Sequence, residues 1–299
     1  MSKWKRLQEN SLLLFPSVVL TLALGIYPLV WVLRYMFYDY PGYGTALFVG
    51  LDNFRRLAED KLFWDSVVNT LVFAAGKLVL TIPLSLLLAV ILNGKIRGRS
   101  FLRAVYFMPT VISTAVISIV FYIIFNSYNG MVNQLLMQIG LVGEPIEWLG
   151  PKHAMLTVIL VAVWGAVGNY MLLFLAGLQS IPHDLYESAA IDGANARQRF
   201  RHITVPMLGP VMQIIIMLAI IASLKGYESI MVITEGGPIG KTEVMYLYLY
   251  KLLFPVASTG TVVEQQFGYG SAVGFATALI VGAITLLYQY LSRKMNKVF

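Results

Sequence analysis

The chain has 299 residues, of which 58% are hydrophobic and only 12% charged, with a mean hydropathy of +0.73. A soluble domain is roughly 45–50% apolar and about 25% charged, so this composition describes a chain dissolved in lipid. With no cysteine, a disulfide framework, a thiolate metal site and a Cys nucleophile are excluded. The three histidines, His153, His183 and His202, stand far apart and at no metal-ligand spacing, so no metal site is expected.

A hydrocarbon core of about 30 Å needs roughly 20 apolar residues of helix. In chain order six stretches qualify: 12–36, 66–93, 104–126, 154–179, 207–234 and 268–292. Each mixes Leu, Val, Ile, Ala and Met with scattered Gly, as bundled spans do. The short alternating strands of a transmembrane barrel are missing, and so are paired broken helices or an inverted repeat. The first stretch is too long for the apolar region of a cleaved signal and is expected to remain as a span. The predicted fold is an all-α polytopic membrane protein with six transmembrane helices, flanked by segments 1–11 and 293–299.

Lys and Arg in the short loops set the direction. With the N-terminus inside, thirteen fall on the cytoplasmic side: Lys3, Lys5, Arg6, Lys95, Arg97, Arg99, Arg103, Arg197, Arg199, Arg201, Arg293, Lys294 and Lys297. Six fall outside: Arg55, Arg56, Lys61, Lys152, Lys241 and Lys251. Both termini are therefore expected in the cytoplasm. The same asymmetry accounts for the net charge of +7 without nucleic acid, and a partner subunit or anionic lipid headgroups explain the basic connector Gly94–Arg103 equally well.

Charges inside the spans are expensive, about 2.5–3.5 kcal/mol each at a helix centre on insertion scales. At about 1.5 Å per residue, Arg34 and Lys225 lie far enough along their helices to snorkel to the outer face. Glu228, one turn on, is expected to pair with Lys225. Lys77 falls about 17 Å from the outer end of the second stretch, near mid-membrane, and its sequence neighbours offer no acid.

The loop 180–206 concentrates charge and glycine between two greasy stretches, and from Tyr186 to Pro206 it reads YESAAIDGANARQRFRHITVP. Pro182 suits the first turn of a helix, and the residues to Ile191 tolerate helix. Gly193 breaks the run, since only Gly takes a left-handed turn without penalty. A second short helix is expected through about Arg201, and Pro206 and Pro210 open the fifth span where proline is tolerated. From these features alone a solvated connector explains the loop equally well.

The ordered spacing favours more than a connector. Glu187-Ser188-Ala189, three residues, Gly193, nine residues, then Ile203-Thr204-Val205-Pro206 resembles the EAA motif of ABC importer permeases. Ser188 and Val205 are its two departures, both conservative. Gly50-Leu51-Asp52-Asn53-Phe54, the run from Leu175 to Pro182, and Gly236-Gly237-Pro238 are similar to the carbohydrate-importer branch of that family, first-partner type. The likeness runs from about residue 12 to residue 292.

The resemblance implies the ABC type I importer permease fold in a bacterial or archaeal inner membrane. It makes the loop a coupling element docked on an ATPase, with Glu187 at the contact and Gly193 at the bend. Ser188, Ala189, Asp192, Ala194, Ile203 and Pro206 complete that candidate set. It further implies a second homologous permease, a homodimeric ATPase and an extracytoplasmic solute-binding (lipo)protein. This chain has no phosphate-cradling G-x-x-x-x-G-K-[ST] loop, so ATP and Mg belong to the ATPase and no cofactor is expected here. Family contacts to the solute come from the spans flanking the loop, which offer Trp164, Asn169, Tyr170, Ser223, Tyr227 and Glu228, although such residues also glue membrane helices together. Lys77 is expected to face the partner permease or the translocation path; on the path, it would suit an anionic or sugar-acid substrate. The rival readings are an ion-coupled secondary transporter using Lys77, Lys225 and Glu228, and a membrane-embedded enzyme, for which no convergent catalytic cluster is visible.

Overall fold

The computed structural model describes residues 13–94, 96–254, 257–258, 261–262 and 265–295. Segment 1–11, the first residue of the 12–36 stretch, and Lys3, Lys5, Arg6, Lys95 and Lys297 lie outside the described residues, as do the side chains of Arg293 and Lys294.

The order begins with α1 (Leu13–Tyr35) and a hairpin of β1 (Tyr38–Asp39) and β2 (Leu47–Phe48). Next come α2 (Asp52–Glu59), α3 (Lys61–Asn93), α4 (Arg99–Phe107), α5 (Thr114–Ile124), α6 (Met131–Gln138) and α7 (Ala154–Gln179). Then follow α8 (His183–Ile191), α9 (Ala196–Arg199), α10 (Val205–Met207), α11 (Gly209–Leu224), α12 (Glu228–Ile233) and α13 (Met245–Leu253). The last elements are a second hairpin, β3 (Ala257–Ser258) with β4 (Thr261–Val262), and α14 (Phe267–Met295).

Five stretches are long and apolar enough to cross a membrane: α1, α3, α7, Gly209–Ile233 and Phe267–Ser292. A sixth candidate is the bent pair Arg99–Thr110 and Thr114–Ile124, a broken span or a re-entrant loop whose halves meet at 91°. The stretch expected as the third span at 104–126 is therefore not one continuous helix. Pro109 cannot donate a backbone hydrogen bond and its ring crowds the carbonyl four residues back; there the helix tightens to a 3₁₀ turn, Met108–Thr110, and breaks. The fifth span is also interrupted, at Lys225–Tyr227. The expected absence of broken helices is thereby corrected too. Prolines leave a milder mark elsewhere: π-helical turns at Thr21–Ile26 and Phe200–Thr204 immediately precede the turns carrying Pro28 and Pro206.

The chain divides into two compact units, residues 1–63 with 249–278 and residues 64–248 with 279–299. In the first, Tyr35 stacks on Tyr40 at 4.6 Å between ring centroids, and both abut Phe267. Arg56 lies 3.9 Å over the Tyr269 ring and donates to Gln266, while the Tyr269 hydroxyl donates to Asp60. None of the apolar α1 span is buried. A water-facing helix of that composition would be untenable; lipid or another chain must cover it.

The second unit holds the core. One cluster packs Ala89 and Leu92 of α3 against Met171, Phe174 and Leu178 of α7 and Ile215 of α11. Another joins Phe73, Val158, Ile159, Ile230 and Val244. Close approach is bought with glycine at one crossing: a Cβ on Gly168 would strike the Tyr106 carbonyl, so α7 and α4 meet backbone to backbone. Ser85 of α3 donates to the Val167 carbonyl at 2.9 Å beside that crossing. The loop after α5 is organised by Asn133, 1% exposed. Its amide donates to the Ser127 and Ile146 carbonyls, and its oxygen accepts from the Ile146 amide and the Trp148 indole.

Candidate functional site

A cavity of about 590 Å³ opens within the second unit. Its walls come from Phe73 and Lys77 on α3, the α4–α5 break, Asn169 and Tyr170 on α7, and Lys225 to Ser229 at the α11–α12 break. Both broken spans thus meet one space. The association has a physical cause, because a break frees backbone N–H and C=O groups. At membrane depth these are tolerated only where protein or a water-filled cavity receives them.

Five of the seven expected path residues line this cavity together: Lys77, Asn169, Tyr170, Tyr227 and Glu228. Lys77 stands at the middle of α3, with its ammonium 5.9 Å from the Phe73 ring centroid. Trp164 and Ser223 are placed elsewhere. The Trp164 ring packs edge-on against Phe121 at 5.1 Å, and Ser223 is buried at 1% exposure in the turn where its carbonyl accepts from the Gly226 amide.

Lys225 lines the cavity, and the pair expected with Glu228 is corrected. The helical register that would set it one turn from Glu228 is lost at the break, and among the described residues no ion pair joins them. Sequence reasoning also missed Thr110, Thr114 and Ser118, which enter the wall through the third-span bend. The dipeptide Met108-Pro109, followed by Thr110 and Ser113, was the available signal.

At a separate part of the same unit the 180–206 loop forms a compact helix–turn–helix. Pro182 sits in extended conformation at the N-cap of α8. The helix ends in a Schellman motif: Gly193 has φ +80°, its amide donates to Ala190, and the Ala194 amide donates to Ala189. The three-residue interval between Ala189 and Gly193 is what this pair of bonds requires. Two residues later Asn195 opens α9 through a reciprocal capping box with Gln198, at 2.9 and 2.8 Å. A hydrogen bond of 3.0 Å between the Tyr186 hydroxyl and Thr204 ties the two arms together.

Between the arms lies a depression of about 350 Å³ lined in part by Ala189, Asp192, Gly193, Ala194 and Ile203. Glu187 is exposed and lies 3.0 Å from His183, one turn back on α8. Ser188 is exposed on that helix and Pro206 lies in α10. Ile191, which sequence reasoning passed over, projects at 86% exposure from the end of α8. Among the described residues no group of three or more His, Cys, Asp or Glu side chains could hold a metal ion.

Comparisons with known proteins agree on the family. Residues 81–297 match the family described as "Binding-protein-dependent transport system inner membrane component". The lactose transport system permease protein LacF of Rhizobium radiobacter is 34% identical over 93% of this chain and 92% of its own length. The arabinooligosaccharides transport system permease protein AraP of Bacillus subtilis (strain 168) is also 34% identical, over 93% and 86%. The trehalose/maltose transport system permease protein MalF of Thermococcus litoralis is 32% identical over 97% and 96%. A solved bacterial ABC transporter involved in the import of the acidic polysaccharide alginate superposes with a TM-score of 0.83 at 25% identity, over 97% of this chain and 98% of that one. A broken-helix bundle of up to six spans and matches over nearly the whole chain lead to one conclusion: the chain belongs to the binding-protein-dependent transport system inner membrane component family, as a multi-pass permease of the ABC importer type.

Proposed function

We propose that this chain is one of two permease subunits of an ATP-driven importer for a sugar or oligosaccharide. The names of its relatives support the sugar class. The cavity between the two broken spans is its half of the translocation path, with Lys77, Asn169, Tyr170, Tyr227 and Glu228 on the wall. That cavity carries the reading. Aromatic faces and neutral hydrogen-bonding groups around a space open within a membrane bundle suit a hydroxylated solute.

The loop 180–206 is the coupling element. Its capped helices move as a rigid piece, so an ATPase that grips the Ile191 tip and the Glu187 face can bias the bundle without unwinding the loop. The Lys and Arg excess of the short loops supports a cytoplasmic position for this element and both termini. A homodimeric ATPase there holds ATP and Mg, and a solute-binding protein delivers solute on the opposite side. A solved relative is in complex with an alginate pentasaccharide-bound periplasmic protein, which supports that last partner. The ion-coupled reading through Lys77, Lys225 and Glu228 finds no support among these relatives.

The test is uptake into proteoliposomes holding this chain with its co-encoded partners. Uptake should require ATP on the ATPase side and the binding protein on the other. Uptake that persists without the ATPase, or that follows an ion gradient, refutes the proposal.

A further inference from the structure

The cavity wall is cationic where a neutral-sugar site would not need it to be. Lys77 and Lys225 come from different spans, yet each is sixteen residues from the helix end on the same membrane side (77 to 93 in α3, 209 to 225 in α11). At about 1.5 Å per residue both sit roughly 24 Å along their helices from that side, and both line the one cavity. Among the described residues Glu228 is the only carboxylate on the wall. It forms an ion pair with neither lysine, so the three groups leave one net positive charge facing the space. The Lys77 ammonium makes no ion pair among the described residues, and the Phe73 ring centroid lies 5.9 Å from it. Ammonium groups in membrane spans are retained for a reason, and hydrogen bonding to sugar hydroxyls is already served by Asn169, Tyr170, Tyr227 and Thr110.

We infer that the transported solute carries carboxylates: it is an oligosaccharide containing uronic acid residues, and Lys77 and Lys225 are its cationic contacts. This rests on the reading of the cavity as the translocation path. The two lysines hold successive carboxylates as the solute passes, and Glu228 keeps the wall from binding the polyanion too tightly to release. A neutral solute of the same shape would leave both ammonium groups without a partner.

The experiment uses the full importer with its binding protein in proteoliposomes and three probes: trigalacturonate, its methyl ester, and maltotriose. Complex assembly is checked by intact mass for every variant. Trigalacturonate should be taken up, and the methyl ester, in which each carboxylate is a neutral ester, at least tenfold more slowly. Lys77→Met and Lys225→Met should each lower trigalacturonate uptake about tenfold, and Lys77→Arg should recover most of it. If Lys77→Met disturbs assembly, Lys77→Gln replaces it. Wild-type uptake confined to maltotriose or the ester overturns the inference, as do assembled Met variants that carry trigalacturonate normally. Asn169→Leu separates the two levels of the argument. If it slows uptake of whichever probe is carried while the lysine variants do not, the path reading stands and the acidic substrate falls. If Asn169→Leu has no effect either, the path reading itself fails.

Discussion

Replacing Gly193 tests whether the bend of the coupling loop is set by backbone conformation. Gly193 adopts φ +80°, and a Cβ built there meets nothing within 4 Å. A substitution therefore incurs no clash inside this chain, only the left-handed backbone penalty of about 1–2 kcal/mol for an ordinary L-residue. Asn visits that region more readily than other residues, whereas a β-branched side chain is a true outlier in it. The three variants should rank Gly193→Asn mildest, then Gly193→Ala, then Gly193→Val. A change of 1–2 kcal/mol is a factor of about 5–30 in the population of the bent state. ATPase activity stimulated by the loaded binding protein, measured on the reconstituted importer, should fall by about that factor for Ala and further for Val. The basal rate of the ATPase pair should not move. Equal loss in all three variants would refute the reasoning, because steric exclusion by the ATPase would then explain the glycine. Full activity in Gly193→Val would show that coupling does not need the bend at all.

Three further outcomes follow from particular contacts. Asn133→Leu removes four hydrogen bonds around Ile146 and Trp148, at about 0.5–1.5 kcal/mol net each; the 126–153 loop should lose amide-exchange protection while the spans keep theirs, and unchanged protection at Ile146 would count against the hub. Gly168→Val forces α7 away from the Tyr106 carbonyl at a cost of about 1–3 kcal/mol, so the purified importer should melt several degrees lower, and an unshifted melt would contradict the backbone crossing. Asn195→Ala deletes the capping box of α9, worth about 1 kcal/mol; stimulated ATPase should fall several-fold without loss of assembly, and a wild-type stimulation factor would mean the cap is irrelevant to coupling.

Much of the architecture was legible because lipid imposes a simple rule. A run of about 20 apolar residues admits few alternatives to a spanning helix, and α1, α3, α7 and α14 begin and end within a few residues of the expected stretches except at Lys61. The helix–turn–helix of the 180–206 loop was legible for a local reason: Pro182, Gly193 and Asn195 each dictate one backbone feature within a few residues. The two breaks were not. Hydropathy sums over a window and cannot see that Pro109 or Gly226 falls where a helix stops, and the gain from stopping lies in a cavity shared with other spans. The missing Lys225–Glu228 pair had the same origin, because the break removes the helical register that would set the two one turn apart. Trp164 and Ser223 have the residue types of a sugar site, yet Trp164 packs edge-on against Phe121 and Ser223 is buried in the turn before the break.

The central claim is that the loop 180–206 docks an ATPase pair and thereby powers the path beside it. Intact-complex mass tests it most directly, on the chain tagged and co-expressed with its flanking genes, as wild type and as Glu187→Arg combined with Gly193→Pro. The account predicts a wild-type complex of two ATPases, this chain and one different permease. The double variant should keep the permease pair and lose both ATPases. A double variant that retains the ATPases, or a wild-type chain that purifies alone and still drives uptake, would contradict it.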